Sequence, residues 1–459
     1  MTLEPLHPAG RVQRVLTLGD RVPDALVPAF AERATSEVDL VIIVPSPAEL
    51  RRTGWLEQAA AEAAAALRED GLVYALAPRG HRRAARRRLG EAGLTVELTV
   101  AQLPNVVAPR HLVPLRPRPW RYALGSQIGE RPWARHVLMA AGSGPLSAGA
   151  LPAVAVIARA RGARPLAAWI EGLDGETLPV GDAIVSTSWR GPDGPLIVFC
   201  FAADATEPWG VAKLAPESST EADLLERLGD AGGARVPRLL ARGVAGGRPV
   251  LVETVVEGRS AGELLARSPK RFAEVTGAVA DWLERWNRAT ARLAPAPLET
   301  ELLAPARELA GELPDGYALW LADRCAALRA GEVPLVARHN DLTMWNLRLD
   351  GSGPIGVLDW ADAEDSGLPL TDLFYAVADA AAACDRYRDR EAALRGSLAA
   401  VAPLRERLCR NLRLSPDVAD LCFHACWLRH ASNERRANGD GEFLAIMRSV
   451  ARQALEASA

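Results

Sequence analysis

The stretch ARHNDLTMWNLRLDGSGPIGVLDWADAEDSGLPLTDLFY, Ala337 to Tyr375, carries most of the chemistry legible in this 459-residue chain. Its spacing is His339-x-Asp341, four further residues, then Asn346, followed by an apolar run that ends in Asp359-Trp360. Transfer of a phosphoryl group needs a carboxylate that orients an attacking hydroxyl or accepts its proton. It also needs oxygen ligands that hold Mg²⁺ against phosphates. A loop delivering Asp341 and Asn346, and then a hairpin delivering Asp359, supplies all three at once.

With those residues in view, the passage resembles the aminoglycoside phosphotransferase and choline kinase group of small-molecule kinases. The resemblance implies the two-lobed α+β fold of protein kinases, nucleoside triphosphate (ATP or GTP) and Mg²⁺ as cofactors, and a small hydroxylated molecule as partner. It implies that Asp341 is the catalytic base and that Asn346 and Asp359 hold the metal. His339 braces the loop, and Asp372 of PLTDLFY supports it as a structural carboxylate.

Working upstream, WGVAKLA (Trp209–Ala215) reads as a strand and Ser218–Leu228 as an amphipathic helix, with Leu224, Leu225 and Leu228 on one face. A kinase needs a strand lysine that grips phosphate, paired with a glutamate on the next helix. Lys213 is one of only two lysines in the chain and sits in that strand, with Glu221 opening the helix. Glu226 is a rival for the pairing but points to another face. Ala183–Trp189 and Leu196–Phe201 read as strands about the turn GPDG. RPVLVETVVEG (Arg248–Gly258) is a further strand, in which the Glu253–Val255 backbone is the candidate for binding the base. Ser188–Gly194 lies where a phosphate-covering loop belongs, without the G-x-G-x-x-G pattern.

The first part of the chain differs in composition. Residues 1–170 carry 22 Arg and no Lys against 14 acidic residues, whereas the remainder carries 32 basic against 43 acidic, so a net −3 conceals two opposite halves. VDLVIIV (Val38–Val44), LVYALAP (Leu72–Pro78) and VELTV (Val96–Val100) alternate with helices predicted at Trp55–Asp70 and Arg82–Leu89. That alternation predicts an α/β unit with parallel strands. The arginines of the second helix read as a solvated face rather than a nucleic-acid surface. Residues 1–140 also resemble, at the level of pattern, the later part of a class I methyltransferase domain. A single Gly19 stands where a glycine-rich cofactor turn would be expected, so a degenerate scaffold is the expectation.

The resulting division is a Rossmann-like α/β domain over 1–140, a Gly/Ala/Pro-rich junction over 141–174, a kinase-like N-lobe over 175–258 and a helical C-lobe over 259–459. No apolar run is long enough for a membrane span, and the start MTLEPLHPAGRVQRV lacks the layout of a secretory signal. The six cysteines form no CxxC pair, and Cys422 and Cys426, one helical turn apart around His424, read as buried thiols. These features predict a cytoplasmic protein, and the resemblance implies a phosphotransferase acting on an alcohol group; the rival readings are a pseudokinase that binds nucleotide as a regulatory module and a bifunctional protein with a methyltransferase-like N-terminal domain. Asp362, Glu364 and Asp365 suit a cationic acceptor, whereas Arg429, Arg435 and Arg436 suit an anionic one. Trp360 and Trp427 either line the pocket or pack.

Overall fold

The computed structural model describes residues 12–103, 111–126, 151–160, 169–187 and 195–458, apart from breaks of one to four residues within those ranges. The chain divides into two compact units, Met1–Ala222 with Leu239–Val255, and Asp223–Arg238 with Val256–Ala459.

The first unit is built on thirteen strands: β1 (Arg14–Leu18), β2 (Glu32–Arg33), β3 (Val38–Ile43), β4 (Leu67–Pro78), β5 (Thr95–Leu103), β6 (His111–Pro114), β7 (Ala153–Arg159), β8 (Asp174–Gly175), β9 (Asp182–Thr187), β10 (Leu196–Phe201), β11 (Gly210–Leu214), β12 (Leu239–Ala245) and β13 (Arg248–Thr254). They form one sheet in the order β2-β1-β3-β4-β7-β5-β6-β9-β10-β11-β13-β12-β8. Alternate side chains go to opposite faces. Leu40, Ile42, Leu72 and Tyr74 therefore enter one core, while Val41, Ile43, Val73 and Ala75 enter a second. The helix Trp55–Ala66 buries Ala59, Ala60, Ala63 and Ala66 in the second core.

Three expectations are corrected here. The strands are not all parallel: β1, β2, β3 and β4 are, but β7 runs antiparallel to both of its neighbours, β4 and β5. The stretch 141–174 is not a simple junction either, because β7 lies within it and is buried along its whole length. AVAVIAR is itself an apolar run with β-branched residues, but it sits among the Gly-, Ala- and Pro-rich residues that set the composition of the segment. Finally, the 1–140 domain and the N-lobe strands share one sheet. β6 pairs with β9 through His111↔Ser186 and Leu112↔Val185, and His111 Nδ1 lies 2.9 Å from Ser186 Oγ. Pairing satisfies two strand edges that would otherwise stay open.

The predicted helix Trp55–Asp70 stops at Ala66, and β4 begins at Leu67. Local helix propensity loses to a tertiary anchor. Asp39 is buried and accepts from the backbone N–H groups of Gln13 and Arg14, each at 2.8 Å. Arg68 then closes on the same carboxylate at 2.7 Å. A second buried pair, Arg159 with Glu97 at 2.7 Å, lies in the sheet.

The second unit is mainly helical, with Phe272–Thr290, Thr371–Cys384, Arg390–Leu412, Pro416–Arg436 and Glu442–Glu456 as its long elements. Val275, Val279, Trp282, Leu283 and Trp286 recur at helical spacing and face its core. Trp282, Trp286 and Trp360 form a chain of rings with centroids 5.4 and 5.2 Å apart. Short strands add β14 (Arg259–Ser260), β15 (Arg292–Pro295), β16 (Glu332–Arg338), β17 (Leu347–Leu349), β18 (Gly356–Val357) and β19 (Glu364–Gly367). β17 and β18 make the hairpin expected after Asn346. The strand-rich β9–β13 segment and this helical unit are the two components that the kinase-like expectation requires. Among the described residues no helix is long and apolar enough to cross a membrane.

Candidate active site

β16 ends at Arg338 and delivers His339 into a fully buried position. The chain then leaves the strand with Asn340 at φ 65°, a left-handed conformation that costs a non-glycine residue energy and is kept only where neighbours fix it. They do so here. Asp372, in the first turn of the Thr371–Cys384 helix, accepts from the backbone N–H of His339 at 2.7 Å and of Asn340 at 2.8 Å. Asn340 Nδ2 donates to the Asp362 carbonyl at 2.8 Å. His339 Nε2 lies 2.8 Å from the Leu358 carbonyl, to which it donates. Its Nδ1 then accepts the Asp341 N–H at 3.3 Å. Both ring nitrogens are thus used for bracing, with Trp360 packed edge-on at 4.9 Å.

Asn346 returns toward Asp341, its Nδ2 donating to the Asp341 carbonyl and to Oδ2, each at 2.9 Å. The Asn346 carbonyl accepts from Leu358 N–H at 2.9 Å, which ties the loop to the segment before Asp359. Asp359 itself sits at φ 61°. The Asp341 pKa is raised from 3.8 to about 7, by burial first and then by the charges of Asp359, Asp362 and Asp379, against the lowering effect of the Asn346 hydrogen bond. Asp341, Asn346 and Asp359 are therefore gathered in one acidic, partly desolvated place.

In the first unit, Lys213 Nζ lies 2.5 Å from Glu221 Oε1, with the glutamate almost fully buried. Glu226 is exposed on the same helix. Ser218 Oγ donates to the Lys213 carbonyl at 3.1 Å and fixes the strand-to-helix turn. Glu253 differs from expectation. Its side chain is a second partner of Lys213 at 3.1 Å. Its backbone lies in β13 opposite Val211 on one side and Leu239 on the other, so the ladder already claims it and it is not open to a nucleobase. Val255 lies beyond the strand end at Thr254 and remains the candidate from that pair. The loop Ser188–Gly194 lies outside the described residues.

The proposed acceptor-side charges are mostly committed elsewhere. Arg338 pairs with Glu301 at 2.5 Å and with Glu364, and Glu364 also meets Arg429 at 3.1 Å. Asp365 meets Arg227 at 2.8 Å. Arg435 donates to the Glu308 carbonyl and Arg436 pairs with the Glu308 carboxylate. Trp360 and Trp427 are each 1% exposed and pack in the core. Cys422 and Cys426 are buried, burial pushing both thiols well up, and His424 between them meets the Tyr317 hydroxyl at 2.9 Å. Gly19, at φ 117°, answers a packing need, since a Cβ there would come within 2.1 Å of the Val44 carbonyl oxygen.

Sequence reading missed Asp379, whose Oδ2 accepts the Met344 N–H at 2.7 Å in the middle of the loop. The signal was a charged residue inside the apolar run AVADAAAAC, seven positions after Asp372 and so on the same helical face.

Comparison with known proteins agrees with this geometry. Residues 209–408 match the model of the phosphotransferase enzyme family (APH). That segment holds Lys213, Glu221, Asp341, Asn346, Asp359 and Asp372, and its match to this family model agrees with the resemblance read from the motif. The class that this match points to is that of phosphotransferase enzymes. No curated protein matches the chain. Among solved structures, the aminoglycoside phosphotransferase APH(3'')-Id from Streptomyces rimosus is 20% identical, covering 52% of this chain and 90% of its own, with a TM-score of 0.34. The macrolide 2'-phosphotransferase MphH from Brachybacterium faecium is 18% identical, covering 61% and 95%, with a TM-score of 0.35. A thermostable mutant of aminoglycoside phosphotransferase APH(4)-Ia is 13% identical, covering 58% and 92%, with a TM-score of 0.41. At TM-scores of that size the assignment rests on the family match and the motif residues.

Proposed function

We propose that the chain transfers the γ-phosphate of a nucleoside triphosphate to a hydroxyl of a small molecule. The observation that carries this reading is the loop from His339 to Asn346, held so that Asp341 is half-buried, proton-hungry and bonded to Asn346. Desolvation and the neighbouring carboxylates raise the proton affinity of Asp341 in the metal-free site, which suits a group that takes a proton from a hydroxyl. Asp341 then orients the acceptor oxygen and receives its proton as the O–P bond forms. His339 keeps the loop in place and does not touch the reacting atoms. Lys213, held by Glu221, grips phosphate oxygens as a compact cation.

The donor set also fits a magnesium ion. Asp359 and the Asn346 Oδ1 are hard oxygen donors, and the Asn346 Nδ2 is already spent on Asp341, which leaves that amide its oxygen for a cation. When bound, the ion would neutralise charge on the phosphates. We assign no net charge to the acceptor, because Glu364, Asp365, Arg429 and Arg436 pair with one another or with neighbours.

The test is ADP or GDP release from the magnesium nucleotide across a panel of hydroxylated metabolites and antibiotics, with the product identified by its gain of one phosphoryl group. Asp341→Ala should abolish transfer while nucleotide affinity stays close to the parent's. Asp359→Ala should lose the magnesium dependence of nucleotide binding. Equal turnover by the Asp341 variant and the parent would remove Asp341 from the role of base.

A further inference from the structure

The loop between Asp341 and Asn346 has to hold a base and a metal ligand at a fixed separation, and it contains no regular secondary structure to do so. Its entry is tied to Asp372 and its exit to the β17–β18 hairpin. Its middle, Met344, is held at both backbone groups. The Met344 carbonyl accepts from Gly262 N–H at 2.9 Å and from Ser260 Oγ at 3.4 Å, and the Met344 N–H donates to Asp379 Oδ2 at 2.7 Å.

Asp379 is 2% exposed, in a helix whose residues from Ala376 to Ala383 are otherwise alanine and one valine. Its Oδ2 also accepts from the Tyr387 hydroxyl at 3.1 Å, and its Oδ1 from Arg390 Nη1 at 3.2 Å. Arg390 is itself fixed, lying 4.7 Å over the Tyr387 ring and 5.5 Å over the Phe443 ring and pairing with Glu442 at 3.0 Å. Tyr387 stacks on Trp345, the next residue of the loop, with centroids 6.3 Å apart. Burying an ion pair in a helical core is a poor route to stability, since apolar residues of similar volume do as well or better. Here the buried carboxylate does something an apolar residue cannot: it supplies an acceptor to a loop N–H that no helix or sheet serves.

We infer that Asp379 is a positioning residue for phosphoryl transfer, acting through the Met344 N–H to fix the loop that carries Asp341 and Asn346, with Arg390 and Tyr387 holding the carboxylate in place. Asp372 and Asp379 lie two helical turns apart, about 10 Å along one face. One helix thus clamps the loop at its start and at its centre. This rests on the assignment of Asp341 and Asn346 above.

The test uses the full-length chain with magnesium ATP and the hydroxylated compounds of the panel above as phosphoryl acceptors, reading ADP release, the KM for nucleotide, thermal melting, and amide hydrogen exchange over residues 340–346. The double variant Asp379→Leu with Arg390→Met removes both buried charges together, so no uncompensated ion threatens folding, yet it orphans the Met344 N–H. We expect its kcat to fall at least about tenfold with KM for magnesium ATP within about twofold, the pattern of a loss felt in the transition state. Exchange over 340–346 should accelerate. Asp379→Asn keeps an acceptor oxygen and should recover most of the lost turnover and protection. A folded double variant with parental kcat and parental exchange would overturn the inference, as would an Asn variant no better than the double. If the parent itself releases no ADP, the functional reading fails, while the exchange measurement still decides whether Asp379 holds the loop.

Discussion

Asp341 shows how one residue is set up for chemistry at the expense of stability. Its folded pKa is raised to about 7, against roughly 3.9 in an unfolded chain. Between those values the folded state keeps a proton that the unfolded state has released, so stability falls as pH rises through that window. In metal-free protein, Asp341→Asn should leave melting near pH 4 almost unchanged. At pH 8 it should stabilise by an amount on the order of 1–3 kcal/mol, while turnover is lost. A variant no more stable than the parent at pH 8 would mean the carboxylate is well solvated. Lys213 makes the complementary case. Lys213→Arg replaces a compact ammonium with a planar fork in a place closed by two carboxylates. It should cost at least about tenfold in turnover, about 1.4 kcal/mol. Lys213→Met leaves Glu221 and Glu253 facing one another while nearly buried, and should lower stability by about 3–5 kcal/mol in urea unfolding.

At the scale of elements, the Thr371–Cys384 helix is the support of the site. Asp372 satisfies two backbone N–H groups that leave β16. Asp372→Ala orphans both, and at about 1–3 kcal/mol for each buried donor left unmade the variant should lose roughly 2–6 kcal/mol in denaturant unfolding together with turnover. Unchanged stability would show that water replaces the carboxylate. The HxDxxxxN spacing and Asp359 were legible from sequence because their residue types and intervals are demanded by the chemistry itself. Asp379 was not used because its partner, Met344, lies thirty-five positions away and nothing local marks the contact. Glu253 was placed in the correct strand, but its part in the Lys213 pair depends on which face of β13 it occupies opposite β11. That is a matter of register, which pattern reading does not fix.

For the first unit as a whole, the continuous sheet alters what a truncated protein should do. A junction over 141–174 would make a chain that begins within it, at Gly162, a self-sufficient kinase half. In the structure it would lack β6 and leave the β9 edge bare, along with the apolar residues Ala183, Ile184 and Val185 that face the sheet's two cores. Open apolar edges invite association. The expected outcome is aggregation, or a melting transition well below that of the full chain, measured by light scattering and calorimetry. A monomeric, equally stable truncation would show that β9–β13 fold independently of the preceding strands.

What the sequence determined by itself is the local elements and the residue types they carry: the loop His339–Asn346, Asp359, the strand with Lys213, the helix with Glu221, and the buried strands of the first half. These follow from residue type, short spacing and periodicity, all of which act over a few neighbouring positions. Only the tertiary structure decided that β7, from an apparent linker, fills the gap between β4 and β5. The same holds for the run of one sheet from β2 to β8, for Glu364 and Asp365 being spent on arginines, and for Asp379 closing the loop. Each of these is a pairing between distant segments. It is fixed by which strand edges, buried charges and backbone N–H groups would otherwise go unsatisfied, a condition that exists only once the chain is folded.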